Sequence, residues 1–489
     1  MIYLDKIKKQ IINAIKKRNF YEVENLCNQF LKTDSSNPLI NYNLAIALFS
    51  LGKINEAQKK FEKVIELQPD YTEAYYNLGI TLQKLNKYNE AEINFRKAIK
   101  LKPDYSNAYY NLGIILFTFG NFEEAEINFK KTLSLKTDFI RAHNNLGITQ
   151  QKLHKYKEAE ASFKKAITFK SDYIEAYYNL GVTLKKLGKI EEAKASYTKA
   201  IELNPEYKAA LLNRGQIFFE EGNFELSLKD FDACNNADSR SRALTSLYAL
   251  GRVQEIYKRI EINSKLDDEN INVAAFAAFI AKKEKKETAN NFCKNPLDFL
   301  NFSNLSSHHK NPNLFISEII KELSHVKAIW EPVNQATHKG FQSTSNLFKN
   351  PNGNLKNLKS IILDELDSYY LKFKKEKCTY IEKWPSKKDL MAWHVILKKQ
   401  GYQNSHIHSA GWLSGVIYLK IVPSFKDNEG AIEFGLNGVF YNDPSSPKLI
   451  YQPKLGDIVL FPSSLHHKTI PFSSDTDRIS IAFDLMPKG

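Results

Sequence analysis

"TEAYYNLGITLQKLNKYNEAEINFRKAIKLKPDY", Thr72–Tyr105, is followed directly by "SNAYYNLGIILFTFGNFEEAEINFKKTLSLKTDF", Ser106–Phe139. The two stretches are variants of one 34-residue pattern. Gly79, Gly113, Gly147, Gly181 and Gly215 recur at that interval, and so do Ala57, Ala91, Ala125, Ala159 and Ala193. An aromatic keeps the same beat at Phe61, Phe95, Phe129, Phe163, Tyr197 and Phe231. Small residues at fixed spacing let two antiparallel helices approach closely, and the aromatic fills the gap to the next pair. Pro69, Pro103 and Pro205 mark where a helix must stop.

This pattern resembles the tetratricopeptide repeat. Repeats start near Pro38, Thr72, Ser106, Ile140, Ile174 and Lys208, and a weaker copy over Leu4–Asn37 caps the stack. One repeat cannot bury its own apolar face, so about six to seven of them stack into a right-handed solenoid. The resemblance implies a concave groove that takes a protein or peptide partner. The repeat glycines, alanines and aromatics are structural and do not identify that partner. After Ser239 the period fades, although "RALTSLYALGRVQEIYKRIEIN" and "INVAAFAAFIAKKEKKE" still read as helices. "FCKNPLDFLNFSNLSSHHKNPN" reads as loop, with a linker near Thr288–Asn313 and His308 and His309 as a solvated pair within it.

The chain has 489 residues, too many for one core. Its formal charge of +14 invites a nucleic-acid reading. The lysines, however, are spread over helical faces and are not gathered into one groove, which argues against it. No run of eighteen apolar residues appears, so no membrane span is expected. The basic amphipathic N-terminus lacks the apolar core and cleavage site of a signal peptide. Cys27, Cys234, Cys293 and Cys378 form no C-x-x-C motif, so a disulfide framework is not expected and a cytoplasmic location is.

In the second half, "LKNLKSIILDELDSYYLKFKK" has helical spacing. Short apolar runs then follow one another: "MAWHVILKK", "WLSGVIYLKI", "GAIEFGL", "PKLIYQP", "GDIVLFP" and "RISIAFDL", separated by Gly, Pro, Asn and Ser. Many short strands with regular turns suggest a jelly roll or barrel. In "HIHSAGWLSGVIYL", His406 and His408 are two apart and so share a face of an extended segment. Later, "LFPSSLHHKTIPFSSDTDRISIAFD" carries His466, His467, Arg478 and Ser480. Trp393, Trp412 and Tyr418 read as packing, and Gly411 and Gly415 as residues permitting tight bends.

From about Trp330 to Met486, these motifs in this order resemble the double-stranded β-helix dioxygenases that use Fe(II) and 2-oxoglutarate. The resemblance is to the 2-oxoglutarate-Fe(II) oxygenases often found behind tetratricopeptide repeats. It implies a hydroxylase that consumes O2 and decarboxylates the oxoacid to succinate, with ascorbate available as reductant. It assigns metal ligation to His406, His408 and His467, with His467 preferred to His466 because it precedes Pro471 by four residues, as in the family pattern. It gives Arg478 and Ser480 the far carboxylate of 2-oxoglutarate. The family usually has a carboxylate two residues after the first histidine, and this chain has His408 there. Glu433, Asp457 or an H-x-A register at His408-Ser409-Ala410 are the alternatives. The expected chain is multidomain α + β: repeats over 1–241, an irregular helical extension over 242–290, and a jelly-roll oxygenase-like domain over 291–489. A catalytically silent scaffold with the same fold is the rival reading.

Overall fold

The computed structural model describes residues 2–332, 335–423 and 427–487. The chain divides into two compact units, Met1–Ala210 and Leu211–Gly489. Among the described residues no helix is long and apolar enough to cross a membrane.

The first unit is built from helix pairs, beginning with Ile2–Lys16 and Phe20–Leu31 and continuing through Pro38–Ser50 and Ile54–Leu67 to Ile174–Lys186 and Ile190–Leu203. The 34-residue beat has a steric cause. A Cβ on Gly79 would sit 2.6 Å from the ring of Phe95, and one on Gly147 would sit 2.6 Å from the ring of Phe163. The first helix of each pair therefore needs glycine where the second helix inserts its aromatic. Phe61, Phe95, Phe163 and Tyr197 are fully buried as a result. Polar rungs tie successive repeats together: Asn77 donates to the Tyr42 hydroxyl at 2.7 Å, Asn111 to Tyr76 at 3.1 Å and Asn145 to Tyr110 at 3.1 Å. This half is the expected helical solenoid.

The second unit combines helices with one antiparallel sheet. Its strands are β1 (Asn301–Asn304), β2 (Ala328–Trp330), β3 (Thr337–Ser343), β4 (Leu390–His406) and β5 (Leu413–Lys420). They continue with β6 (Ile432–Gly435), β7 (Lys448–Tyr451), β8 (Asp457–Pro462), β9 (His466–Thr469) and β10 (Arg478–Leu485). The main path runs β1-β8-β5-β10-β4-β9-β6-β7, with β3 also on β4 and β2 on β3. Alternation gives the sheet two apolar faces. Ile417, Leu460, Ile481 and Phe483 pack against Leu358, Ile362 and Leu366 of helix Gly353–Phe373. Val416, Val459, Phe434 and Phe461 join Phe276 and Phe279 of helix Ile271–Glu284. Burying each such side chain stabilises the unit by roughly 1.5–3 kcal/mol.

Three expectations need correction. Thr288–Asn313 is more than a linker: Phe292 is fully buried, and β1 pairs Asn301–Asn304 with Leu460–Asp457. His308 does not simply face solvent, because its Nε2 meets the buried Glu365 carboxylate at 2.5 Å. Gly415 does not mark a bend. It lies within β5, and a Cβ there would meet the Phe483 ring at 2.3 Å, so it is small to admit that ring.

Candidate metal and oxoacid site

β4 bends out of its pairing with β10 and ends by pairing with β9, where His406 lies opposite His467. His408 follows in a turn closed by Gly411 N–H donating to the His408 carbonyl at 2.9 Å, while His408 N–H bonds the Ser463 carbonyl at 3.1 Å. Strand and turn together bring three imidazoles into one corner. One ring nitrogen from each of His406, His408 and His467 lies within 4.8 Å of the other two, and the Nε2 atoms of His406 and His408 are 3.3 Å apart.

The opposite side of each ring is engaged. His406 Nδ1 donates to the Asn404 carbonyl at 2.7 Å, His467 Nδ1 to the Leu465 carbonyl at 3.3 Å, and His408 Nδ1 to Asp484 Oδ1 at 2.5 Å. An imidazole that donates through Nδ1 keeps its lone pair on Nε2. The Nε2 atoms of His406 and His408 thus face one another, and a ring nitrogen of His467 joins them. Burial, reinforced by His408, pushes His406 down to about 4. Burial, reinforced by His406 and His408, pushes His467 well below the usual histidine value. Neutral imidazoles with converging lone pairs suit a divalent transition metal.

The walls are apolar. Phe461 and Trp393 lie 4.7 Å and 5.5 Å, ring to ring, from His467 and His408. Trp393 therefore touches the site as well as packing the fold. Beside His406 a cleft of about 230 Å³ opens, lined among others by Asp238, Arg242, Phe276, Tyr441 and His466. His466 points away from the triad's centre and bonds the Tyr441 hydroxyl at 2.8 Å.

Arg478 opens β10. It is 2% exposed, its guanidinium lies 4.8 Å from the Tyr418 ring, and among the described residues its Nε has no hydrogen-bond partner. Burial pushes its pKa down, and among the described residues no carboxylate pairs with it. Ser480, 3% exposed, follows on the same face of the strand, opposite Tyr418 of β5. Asp484 lies further along that face, opposite Ser414.

The alternative carboxylates point elsewhere. Glu433 pairs with Lys468 at 3.0 Å. Asp457 accepts from Tyr451, from the Lys454 amide and from Asn304. The carboxylate that does reach the corner is Asp484, which sequence reasoning missed. Its signal was the even spacing of Arg478, Ser480 and Asp484 in "RISIAFD", which puts all three on one face.

Residues 391–484 match the family model described as "Putative 2OG-Fe(II) oxygenase". Tetratricopeptide-repeat models match 38–104, 94–127, 152–188 and 174–207. Among solved structures the chain is similar to YrrB, "a TPR protein with an unusual peptide-binding site", at 23% identity over 38% of this chain and 95% of that one, with a TM-score of 0.36. It is similar to the C-terminal part of a TPR repeat-containing protein from Cytophaga hutchinsonii at 18% identity over 47% of this chain and 97% of that one, TM-score 0.42. A tetratricopeptide repeat protein from Parabacteroides merdae aligns at 18% identity over 50% of this chain and all of that one, TM-score 0.38. No curated protein matches. The chain carries tetratricopeptide repeats within 38–207, and its C-terminal segment 391–484 matches the 2OG-Fe(II) oxygenase family.

Proposed function

We propose that this chain is an Fe(II)- and 2-oxoglutarate-dependent dioxygenase, a hydroxylase whose repeats bind a protein or peptide partner. The observation that carries the reading is the convergence of His406, His408 and His467 inside the segment that matches the family. On this reading the three Nε2 atoms hold the metal. Bound there, Fe(II) with the oxoacid would supply O2 activation coupled to decarboxylation to succinate and CO2. Arg478 takes the far carboxylate of 2-oxoglutarate as a charge-assisted fork, and Ser480 donates its hydroxyl to the same group. A buried guanidinium with no carboxylate partner among the described residues is costly, and a dianionic ligand would supply one. Phe461 and Trp393 keep water from the ring edges, and the cleft beside His406 gives substrate access.

The ten-stranded antiparallel sheet supports a jelly roll for 291–489, with the chemistry there, the repeats over 1–241 and a helical extension over 242–290 between them in sequence. All four cysteines are buried, in keeping with a reducing cytoplasm. Purified protein with Fe(II), ascorbate and 2-oxoglutarate should form succinate, slowly even without substrate. If neither succinate nor bound metal is detected, the scaffold reading takes its place.

A further inference from the structure

We propose that Asp484 is a positioning residue of the metal centre: one hydrogen bond behind His408, its carboxylate supplies the negative charge that the position two residues after His406 lacks. The inference rests on the metal-site reading above. His406 and His467 donate Nδ1 to neutral backbone carbonyls, at 2.7 and 3.3 Å. His408 alone faces a charged acceptor, and at 2.5 Å its bond is the shortest of the three. Charge-assisted bonds of this kind are roughly twice as strong as neutral ones. A carboxylate behind an imidazole fixes the tautomer and makes the far nitrogen a better donor to metal.

The carboxylate is built in. The two side chains are only 10% and 9% exposed. Ser414 Oγ donates to the same Asp484 oxygen at 2.7 Å, and Ser463 Oγ lies 2.8 Å from Ser414 Oγ. Gly411 leaves the room this requires, since a Cβ there would meet Ser463 Oγ at 2.7 Å and Asp484 Cγ at 3.0 Å. Exchanging a ligating carboxylate for imidazole would remove one negative charge from the corner. The His408–Asp484 pair returns it, displaced outward by one ring.

The test uses the full chain, anaerobically, with Co(II) as a spectroscopic probe and no oxoacid or turnover. Wild type should bind Co(II), and D484N should bind it roughly 10- to 100-fold more weakly, the usual cost of losing such a partner. The background H408D then separates charge from packing. It brings a second carboxylate into the same corner, so adding D484N there should tighten Co(II) binding. A merely structural Asp484 would weaken binding in both backgrounds, and that result overturns the proposal, as does a D484N that binds like wild type. Should D484N fail to fold, D484E and D484Q share one shape and differ in charge: only D484E should retain Co(II), and equal binding refutes the idea. If wild type itself binds no Co(II), the metal-site reading falls and this proposal with it.

Discussion

Arg478→Met is expected to move stability and ligand binding in opposite directions. Arg478 is 2% exposed, its Nε has no hydrogen-bond partner among the described residues, and burial already disfavours its charge. Holding an uncompensated ion inside a protein costs several kcal/mol. Methionine replaces the aliphatic stem and keeps an apolar surface against Tyr418. The ligand-free variant should therefore gain about 1–3 kcal/mol, and at about 2–4 °C per kcal/mol its melting temperature should rise by several degrees. The oxoacid response should collapse. With Co(II) present, 2-oxoglutarate at a hundred times its Kd should stabilise wild type by about 2.7 kcal/mol. Removing one partner of a buried charge pair costs about 2–5 kcal/mol, or roughly 30-fold or more in affinity. At the same concentration the variant should then keep under about 1 kcal/mol of that stabilisation. Anaerobic scanning calorimetry with and without the oxoacid reads both effects. A variant that melts lower than wild type yet keeps the full 2-oxoglutarate shift would refute the reasoning, because Arg478 would then be a packing residue.

His406→Ala and His467→Ala should each abolish Co(II) binding while leaving the helical circular-dichroism signal intact; retained metal in either variant would remove that histidine from the site. Gly147→Ala should cost the repeats about 1–3 kcal/mol in urea unfolding, because its Cβ would meet the Phe163 ring at 2.6 Å. Phe163→Leu in the same chain should recover part of that loss, and strict additivity would show that the two positions do not meet. Acid should destabilise the metal-free protein. His394, His406, His466 and His467 are all pushed down by burial, with His406 at about 4 and His466 at about 3. The unfolded chain protonates them first, near its reference value of about 6.5, so stability should be full above that pH and fall as pH drops towards the folded values. Melting curves at pH 7 and pH 5 check the sign, and His394→Phe should flatten part of the slope without touching the triad.

The repeats were legible because each one states its packing twice, as a glycine and as the aromatic that needs it. The strands β4, β5, β8 and β10 were legible as short apolar runs bounded by turn residues. β1 was not: "NFSN" is short and mostly polar, and becomes a strand only because β8 offers it a free edge. His406, His408 and His467 could be named from motif order, and the structure brings their ring nitrogens together. The partner of His408 was harder. Asp484 lies 76 residues from it, and the contact exists because the turn after β8 and the turn after β4 are fastened at Ser463. No local pattern encodes that closure, although the even spacing from Arg478 did encode the shared face. Gly415 misled for a related reason: a glycine in a strand can serve a bend or a ring across the sheet, and only the tertiary neighbour decides.

The charges of the proposed centre explain why these particular residues lie on one strand. A divalent metal held by three neutral imidazoles would leave two positive charges in an apolar corner. Asp484 offsets one of them through His408. The oxoacid brings two negative charges, and Arg478, at the other end of the same face of β10, balances what remains. Metal, Asp484, dianion and Arg478 then come to zero net charge, the condition under which burying all four is tolerable. The balance also fixes an order. Without the oxoacid the strand carries a compensated end at Asp484 and an uncompensated end at Arg478. The anion therefore enters a site whose attraction for it is already in place, and neutral analogues of 2-oxoglutarate that keep its size should bind poorly even when the metal is bound. Equal binding of a neutral analogue and 2-oxoglutarate would mean that Arg478 is compensated by something other than the ligand.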